Sequence, residues 1–154
     1  MHPFYADYLE RLEFLHAEIG KMLDGLPPEA LDWQPGPEMN SLAVLAVHTA
    51  GAERYWIGDV AGLDLSDRHR DAEFQTRGLD AAELQRRLAN VLEHSRGVLE
   101  GLALDDLAAE HVSPRDKDRK FTVAWALLHA LEHAASHLGH MQITRQLWEQ
   151  RAGR

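Results

Sequence analysis

Leu127-Leu128-His129-Ala130-Leu131-Glu132-His133-Ala134-Ala135-Ser136-His137-Leu138-Gly139-His140-Met141 is the stretch on which the fold turns. At 3.6 residues per turn, Leu127, Leu131, Ala134, Leu138 and Met141 share one stripe. His129, His133, His137 and His140 fall roughly opposite, with Ile143 and Leu147 continuing their side. No proline interrupts the segment, so a helix is predicted from near Thr122 past Trp148. Its one glycine, Gly139, costs about 1 kcal/mol relative to Ala, which a close backbone approach would explain. Little is left for a solvent face before Gln142. The helix is therefore expected to be buried on both sides, one lining a bundle and the other meeting another helix or a second subunit. A homodimer is the resulting expectation.

Three more helices lie upstream. Tyr5, Tyr8, Leu12, Leu15, Ile19, Met22 and Leu23 recur at three- and four-residue steps from Phe4 to Asp24, until Pro27 and Pro28 break the pattern. After a loop carrying Pro35-Gly36-Pro37, a second helix starts at Asn40 or Ser41, both good N-caps, and runs through His48 to Ile57. Asp64 to Gly78 is a connection dense in charge. Asp80-Ala81-Ala82-Glu83 opens a third helix whose stripe is Leu84, Leu88, Val91, Leu92, Ser95, Val98 and Leu99. Ala103 to Lys120 reads as loop, its Asp116-Lys117-Asp118-Arg119-Lys120 run solvated. Four helices without strand signals predict an all-α four-helix bundle occupying 1–154 as one domain.

Composition removes several functions. With no cysteine among 154 residues, disulfides, thiolate ligands and a cysteine nucleophile are excluded. The formal charge of −9, from 25 acids against 16 Lys and Arg, argues against nucleic acid and against an anionic membrane surface. No apolar stretch approaches the roughly 18 residues of a spanning helix. The N-terminus lacks a basic region followed by an apolar one, so a cytoplasmic protein is expected.

His133 and His137 are four apart and point the same way on a helix. Two imidazoles so placed can hold one transition metal, and a third from another helix completes the set while leaving a coordination position free. His48 is the candidate third: its helical neighbours Val44, Leu45, Ala52 and Tyr55 are apolar. An unpaired imidazole there would be costly, and a ligated one still needs an acceptor for its other ring nitrogen. The competing reading makes all three ordinary hydrogen-bonded core histidines. His129 and His140 are candidates for supporting a ligand from behind. His129-Ala130-Leu131-Glu132-His133 matches an inverted zinc-protease pattern, but only Glu149 follows as a further acidic ligand, close to the last residue. Glu13-Phe14-Leu15-His16 matches half of a di-iron site and has no second copy, so both read as ordinary helix residues.

Ser41 through Ala50, followed by Glu53, Tyr55 and Trp56, resembles the second helix of DinB-like (YfiT-like) proteins. Phe121-Thr122-Val123-Ala124-Trp125 through His129, His133 and His137-Leu138-Gly139-His140 is similar to their last conserved helix, and Asp32-Trp33-Gln34-Pro35-Gly36 also fits. The resemblance spans nearly the whole chain in order. It implies a four-helix bundle with a divalent metal, Zn or Ni, held by His48, His133 and His137. Many members have Gln where this chain has His140. Some relatives transfer low-molecular-weight thiols of the bacillithiol or mycothiol type. The resemblance thus implies a metal-dependent thiol S-transferase acting on a small-molecule substrate; a metal-dependent hydrolase and a non-enzymatic, metal-stabilised dimer are the alternatives.

Overall fold

The computed structural model describes residues 1–152. Helix α1 (Pro3–Leu23) begins with Pro at its first position and with His2 Nδ1 accepting from the Phe4 amide at 3.2 Å. A short α2 (Pro28–Leu31) follows. In α3 (Leu42–Glu53) the expected cap is present: Ser41 Oγ accepts from the Val44 amide at 3.2 Å. The chain then widens into a π-helical segment, Arg54–Ala61. After α4 (Arg70–Glu73), Asp80 caps α5 (Ala81–Gly101) by accepting from Glu83. A 3₁₀ turn (Leu104–Ala108) leads to strands β1 (Glu110–Val112) and β2 (Lys120–Thr122), and α6 (Val123–Ala152) completes the order.

The four long helices form a ring. Helix α1 packs on α5 and α6, and α3 packs on the same two from the other side, leaving α1 and α3 nearly diagonal. Two apolar clusters fill the interior. One joins Leu15, Ile19 and Leu23 to Leu42, Leu45, Leu84, Leu138 and Met141. The other joins Tyr5, Tyr8 and Leu12 to Tyr55, Ile57, Leu99, Val123 and Leu127. The Leu127, Ala134, Leu138 and Met141 stripe is buried as expected.

Three expectations change. Among the described residues no other helix closes the opposite side of α6: Trp125, Leu128 and Ile143 are 41, 64 and 54% exposed, and Glu132 and Ser136 face solvent. The histidine row lies between that face and the core. A Cβ at Gly139 would meet nothing within 4 Å, so no close approach accounts for it. The 103–120 region also holds a 3₁₀ turn and a hairpin, although its 116–120 run is exposed as expected. Strands β1 and β2 pair antiparallel with His111 opposite Phe121. Three residues per strand are too few to show alternation in sequence.

The charged connection is tied down at both ends. Buried Asp59 accepts from the Ser66 amide (3.0 Å), Ser66 Oγ (2.8 Å) and Arg54 Nη1 (2.8 Å). Further on, the Gly78 amide donates to Asp32 Oδ2 at 2.8 Å, with Gly78 at φ 75°, a conformation natural to glycine. Between these anchors the chain folds back over α3. Among the described residues no helix is long and apolar enough to cross a membrane.

Candidate metal centre

Helix α3 and helix α6 touch along their middles, and the contact brings His48, His133 and His137 together. His133 Nε2 lies 3.2 Å from His48 Nε2 and 3.2 Å from His137 Nε2. One ligand atom from each of the three falls within 4.8 Å of the others. An ion with Zn–N bonds of about 2.0 Å in a tetrahedron has ligand atoms about 3.3 Å apart. The two observed separations match that edge.

Protonation agrees with the geometry. Burial, then the neighbouring His137 and His48, push His133 down to about 3. Burial, then His48 and His140, push His137 down to about 4. Both rings are neutral near pH 7 and can offer a lone pair.

The third ring is oriented from the charged connection. His48 Nδ1 lies 2.8 Å from Glu73 Oε2 at the end of α4. Burial pushes the Glu73 carboxyl up, but hydrogen bonds and charge from Arg68 and His48 outweigh it and hold the group below the usual carboxylate range. An ionised carboxylate only accepts, so His48 donates from Nδ1 and its Nε2 lone pair faces His133. Arg68 grips the same carboxylate from behind, Nη2 donating to Oε2 at 2.8 Å and Nε to Oε1. This carboxylate–histidine arrangement orients a metal ligand and raises its basicity. Gly51, one turn beyond His48, makes room for it: a Cβ there would collide with the Glu73 carboxylate and lie 3.1 Å from Arg68 Nε. The three histidines, with Glu73 and Arg68 behind His48, fit a divalent ion with one position left over.

The remaining histidines of α6 sit at either end of the site. His140 Nδ1 lies 3.2 Å from His137 Nδ1, so it can support that ligand from behind. His129 does not reach a ligand nitrogen; its ring stacks on Trp125 (centroids 4.8 Å, 16°) and packs edge-on to Trp56 (4.8 Å). A cavity of about 280 Å³ opens beside His48 and His133. Its walls include Tyr55, Trp56 and His129, and Arg68, Arg70 and Arg115. The π-helical segment supplies the first two. Widening the turn there, as often happens at functional sites, sends Trp56 against Phe121 and Trp125 and holds Tyr55 Oη 2.7 Å from Ser113 Oγ.

Glu73, Arg68, Arg70 and Gly51 were not singled out by sequence. The first three belong to a run of charge that reads as solvated, and 25 residues separate Glu73 from His48. The one available signal was chemical: a buried ligating imidazole requires an acceptor.

A second polar cluster lies deeper, and it corrects the reading of His16. His16 is 7% exposed, and its Nε2 lies 2.5 Å from Oε2 of Glu53, which is itself 1% exposed. Ser95 Oγ donates to Glu53 Oε1 at 2.7 Å. Glu13 instead pairs with Arg96 at the surface.

Known structures share this architecture. A conserved protein from Enterococcus faecalis superposes with a TM-score of 0.72 at 20% identity, covering 91% of this chain and 94% of that one. A DinB-like protein from Bacillus cereus gives 0.71 at 19%, covering 95% and 91%. YfiT from Bacillus subtilis, described as a probable metal-dependent hydrolase with an unusual four-helix bundle topology, gives 0.72 at 13%, covering 99% and 90%. No curated protein matches the chain. The pattern of the DinB superfamily matches residues 11–141, from the middle of α1 through the whole histidine row, and the chain belongs to that superfamily.

Proposed function

We propose that this protein is a divalent-metal-dependent transferase that uses a low-molecular-weight thiol, with His48, His133 and His137 as the metal ligands. The observation that carries the reading is the cavity of about 280 Å³ that opens on His48 and His133 between polar walls. A purely structural ion needs no such space. Bound there, Zn²⁺ or Ni²⁺ would supply a Lewis-acid position that favours the thiolate over the thiol at neutral pH. The residues of the chain do the rest. Glu73, braced by Arg68, keeps the His48 lone pair aimed inward. Trp56 and His129 wall off one side of the cavity, and Tyr55 is held in place by Ser113. The thiolate sulfur forms a bond to an electrophilic carbon, the leaving group departs with the electron pair of the broken bond, and the thiol proton passes to solvent. The chain's lack of cysteine is compatible, because the cosubstrate brings the sulfur.

A second reading replaces the thiol with water and makes the protein a hydrolase. It is favoured by the description of the similar YfiT structure as a probable metal-dependent hydrolase. One experiment separates the two. Tag-free protein loaded with Zn²⁺ or Ni²⁺ is given free cysteine and monochlorobimane, and thioether formation is followed by fluorescence. A metal-dependent rate that His133→Ala abolishes supports the transferase. A rate no greater than that of metal-free protein, beside metal-dependent cleavage of 4-nitrophenyl acetate without thiol, supports the hydrolase instead.

The homodimer is a proposal of the same kind. Leu128 and Ile143, exposed on the outer face of α6, are the surface a second copy would cover. Sedimentation across a concentration range reads it directly.

A further inference from the structure

The chain carries 25 acids against 16 Lys and Arg, yet the walls of the histidine cavity hold three arginines and no acid. Elsewhere some arginines are matched by carboxylates, Arg54 with Asp59 and Asp64, Arg96 with Glu13, Arg145 with Glu149, whereas others such as Arg11 and Arg119 lie over aromatic rings away from the cavity. Within the cavity Arg68 is matched too, by Glu73. Among the described residues, Arg70 and Arg115 have no carboxylate partner.

Both are nonetheless placed. The Arg70 guanidinium lies 4.8 Å from the centre of the Phe74 ring, and that ring packs 4.8 Å from the ring of His48. The Arg115 guanidinium lies 5.7 Å from the centre of the Tyr55 ring. The turn that carries Arg115 is fastened to the bundle: Ser113 Oγ meets Tyr55 Oη at 2.7 Å and accepts from the Asp116 amide at 3.2 Å, and the Ser113 amide donates to the Arg119 carbonyl. Aromatic faces hold guanidinium planes without consuming their hydrogen-bond donors. Two arginines so held, from α4 and from the β1–β2 turn, present unused donors over a water-accessible cavity beside the histidines. Their natural complement is an oxyanion, which takes charge-assisted, paired hydrogen bonds from such donors.

We propose that Arg70 and Arg115 form an anion subsite at the mouth of the cavity, and that the molecule this protein acts on carries a carboxylate or phosphate group seated there. The proposal deepens the metal-dependent reading of the same cavity and rests on it for the reaction, though not for anion binding. The subsite fixes the anionic end of the substrate and leaves its reactive end toward His48 and His133. It is a specificity device: neutral molecules of the same size lack the group it holds.

The test is calorimetric titration with inorganic phosphate of the parent, Arg70→Gln, Arg115→Gln and Arg119→Gln, each with zinc and without. Arg119 is the control, because it belongs to the same hairpin but lies over Phe121 and does not line the cavity. Phosphate is expected to bind the parent in both metal states, at least tenfold more weakly in Arg70→Gln and Arg115→Gln, and equally well in Arg119→Gln. Zinc content is measured in the same samples. A parent that retains no zinc after loading, yet binds phosphate through the two arginines, overturns the metal reading and leaves the subsite standing. Phosphate binding that needs zinc and ignores both substitutions overturns the subsite, as does an equal loss in Arg119→Gln or no binding to the parent.

Discussion

Two clusters of histidine and acid occupy the same bundle, and they are built on opposite principles. In the inner one, His16, Glu53 and Ser95 come from α1, α3 and α5, and both oxygens of Glu53 are engaged within the protein. In the outer one, Glu73 satisfies only the far nitrogen of His48, and three Nε2 atoms are turned toward one another. The inner cluster is buried, with His16, Glu53 and Ser95 at most 7% exposed, whereas the outer one opens on a space with cationic walls. The difference teaches how to tell a structural polar pair from a ligand set. In the first the acid spends both oxygens inside the protein, although His16 Nδ1 is buried without a partner, and in the second ring nitrogens from two helices converge on one another.

The largest effect that can break this comparison is loss of metal. His133 faces both other proposed ligands, so His133→Ala is expected to abolish stoichiometric zinc retention, read by elemental analysis of tag-free protein. His16→Ala should keep its zinc. Equal metal loss in both would erase the distinction. Next comes stability of the inner cluster. Removing one partner of a buried pair costs about 3–5 kcal/mol, so Glu53→Ala should lower the urea midpoint sharply. A shift as small as that of half-buried, surface-paired Glu13→Ala would show that the cluster is dispensable.

A subtler effect sharpens the outer cluster. Glu73→Gln can still accept from His48 but loses the charge and the pairing with Arg68. Zinc affinity is expected to fall about 10- to 100-fold. An unchanged affinity would mean that Glu73 does not tune the ligand.

The smallest effect concerns pH in metal-free protein. The folded state holds His133 at about 3 and His137 at about 4, both below the ordinary value near 6.5. As pH falls below 6.5 the unfolded chain binds protons first, so stability present above 6.5 is lost on the way toward 4. The melting temperature of metal-free parent should therefore fall more steeply across that window than that of metal-free His133→Ala. Parallel curves would contradict the assignment.

What was legible in the sequence was the part with helical period. His133 and His137 are four apart, His48 lies in an apolar run, and Ser41 and Asp80 cap the helices they open. Local geometry decides each of these. What was not legible depends on chain segments returning from a distance. Glu73, with Arg68 bonded to it, reaches His48 from a connection whose two ends are fastened by Asp59 and Asp32. The motif Glu13-x-x-His16 drew attention to a local pair, whereas His16 points inward to Glu53, 37 residues away. What covers the outer face of α6 is illegible for a related reason. Leu128 and Ile143 are apolar, and periodicity reports apolarity without saying whether anything covers it.

The most direct measurement is X-ray absorption at the zinc edge of the loaded, tag-free protein. Three imidazole nitrogens at about 2.0–2.1 Å with one further light-atom ligand is the result expected from His48, His133 and His137 with one position free. A shell dominated by carboxylate oxygen, a closed set of four imidazoles that includes His140, or a protein that retains no zinc would contradict the account.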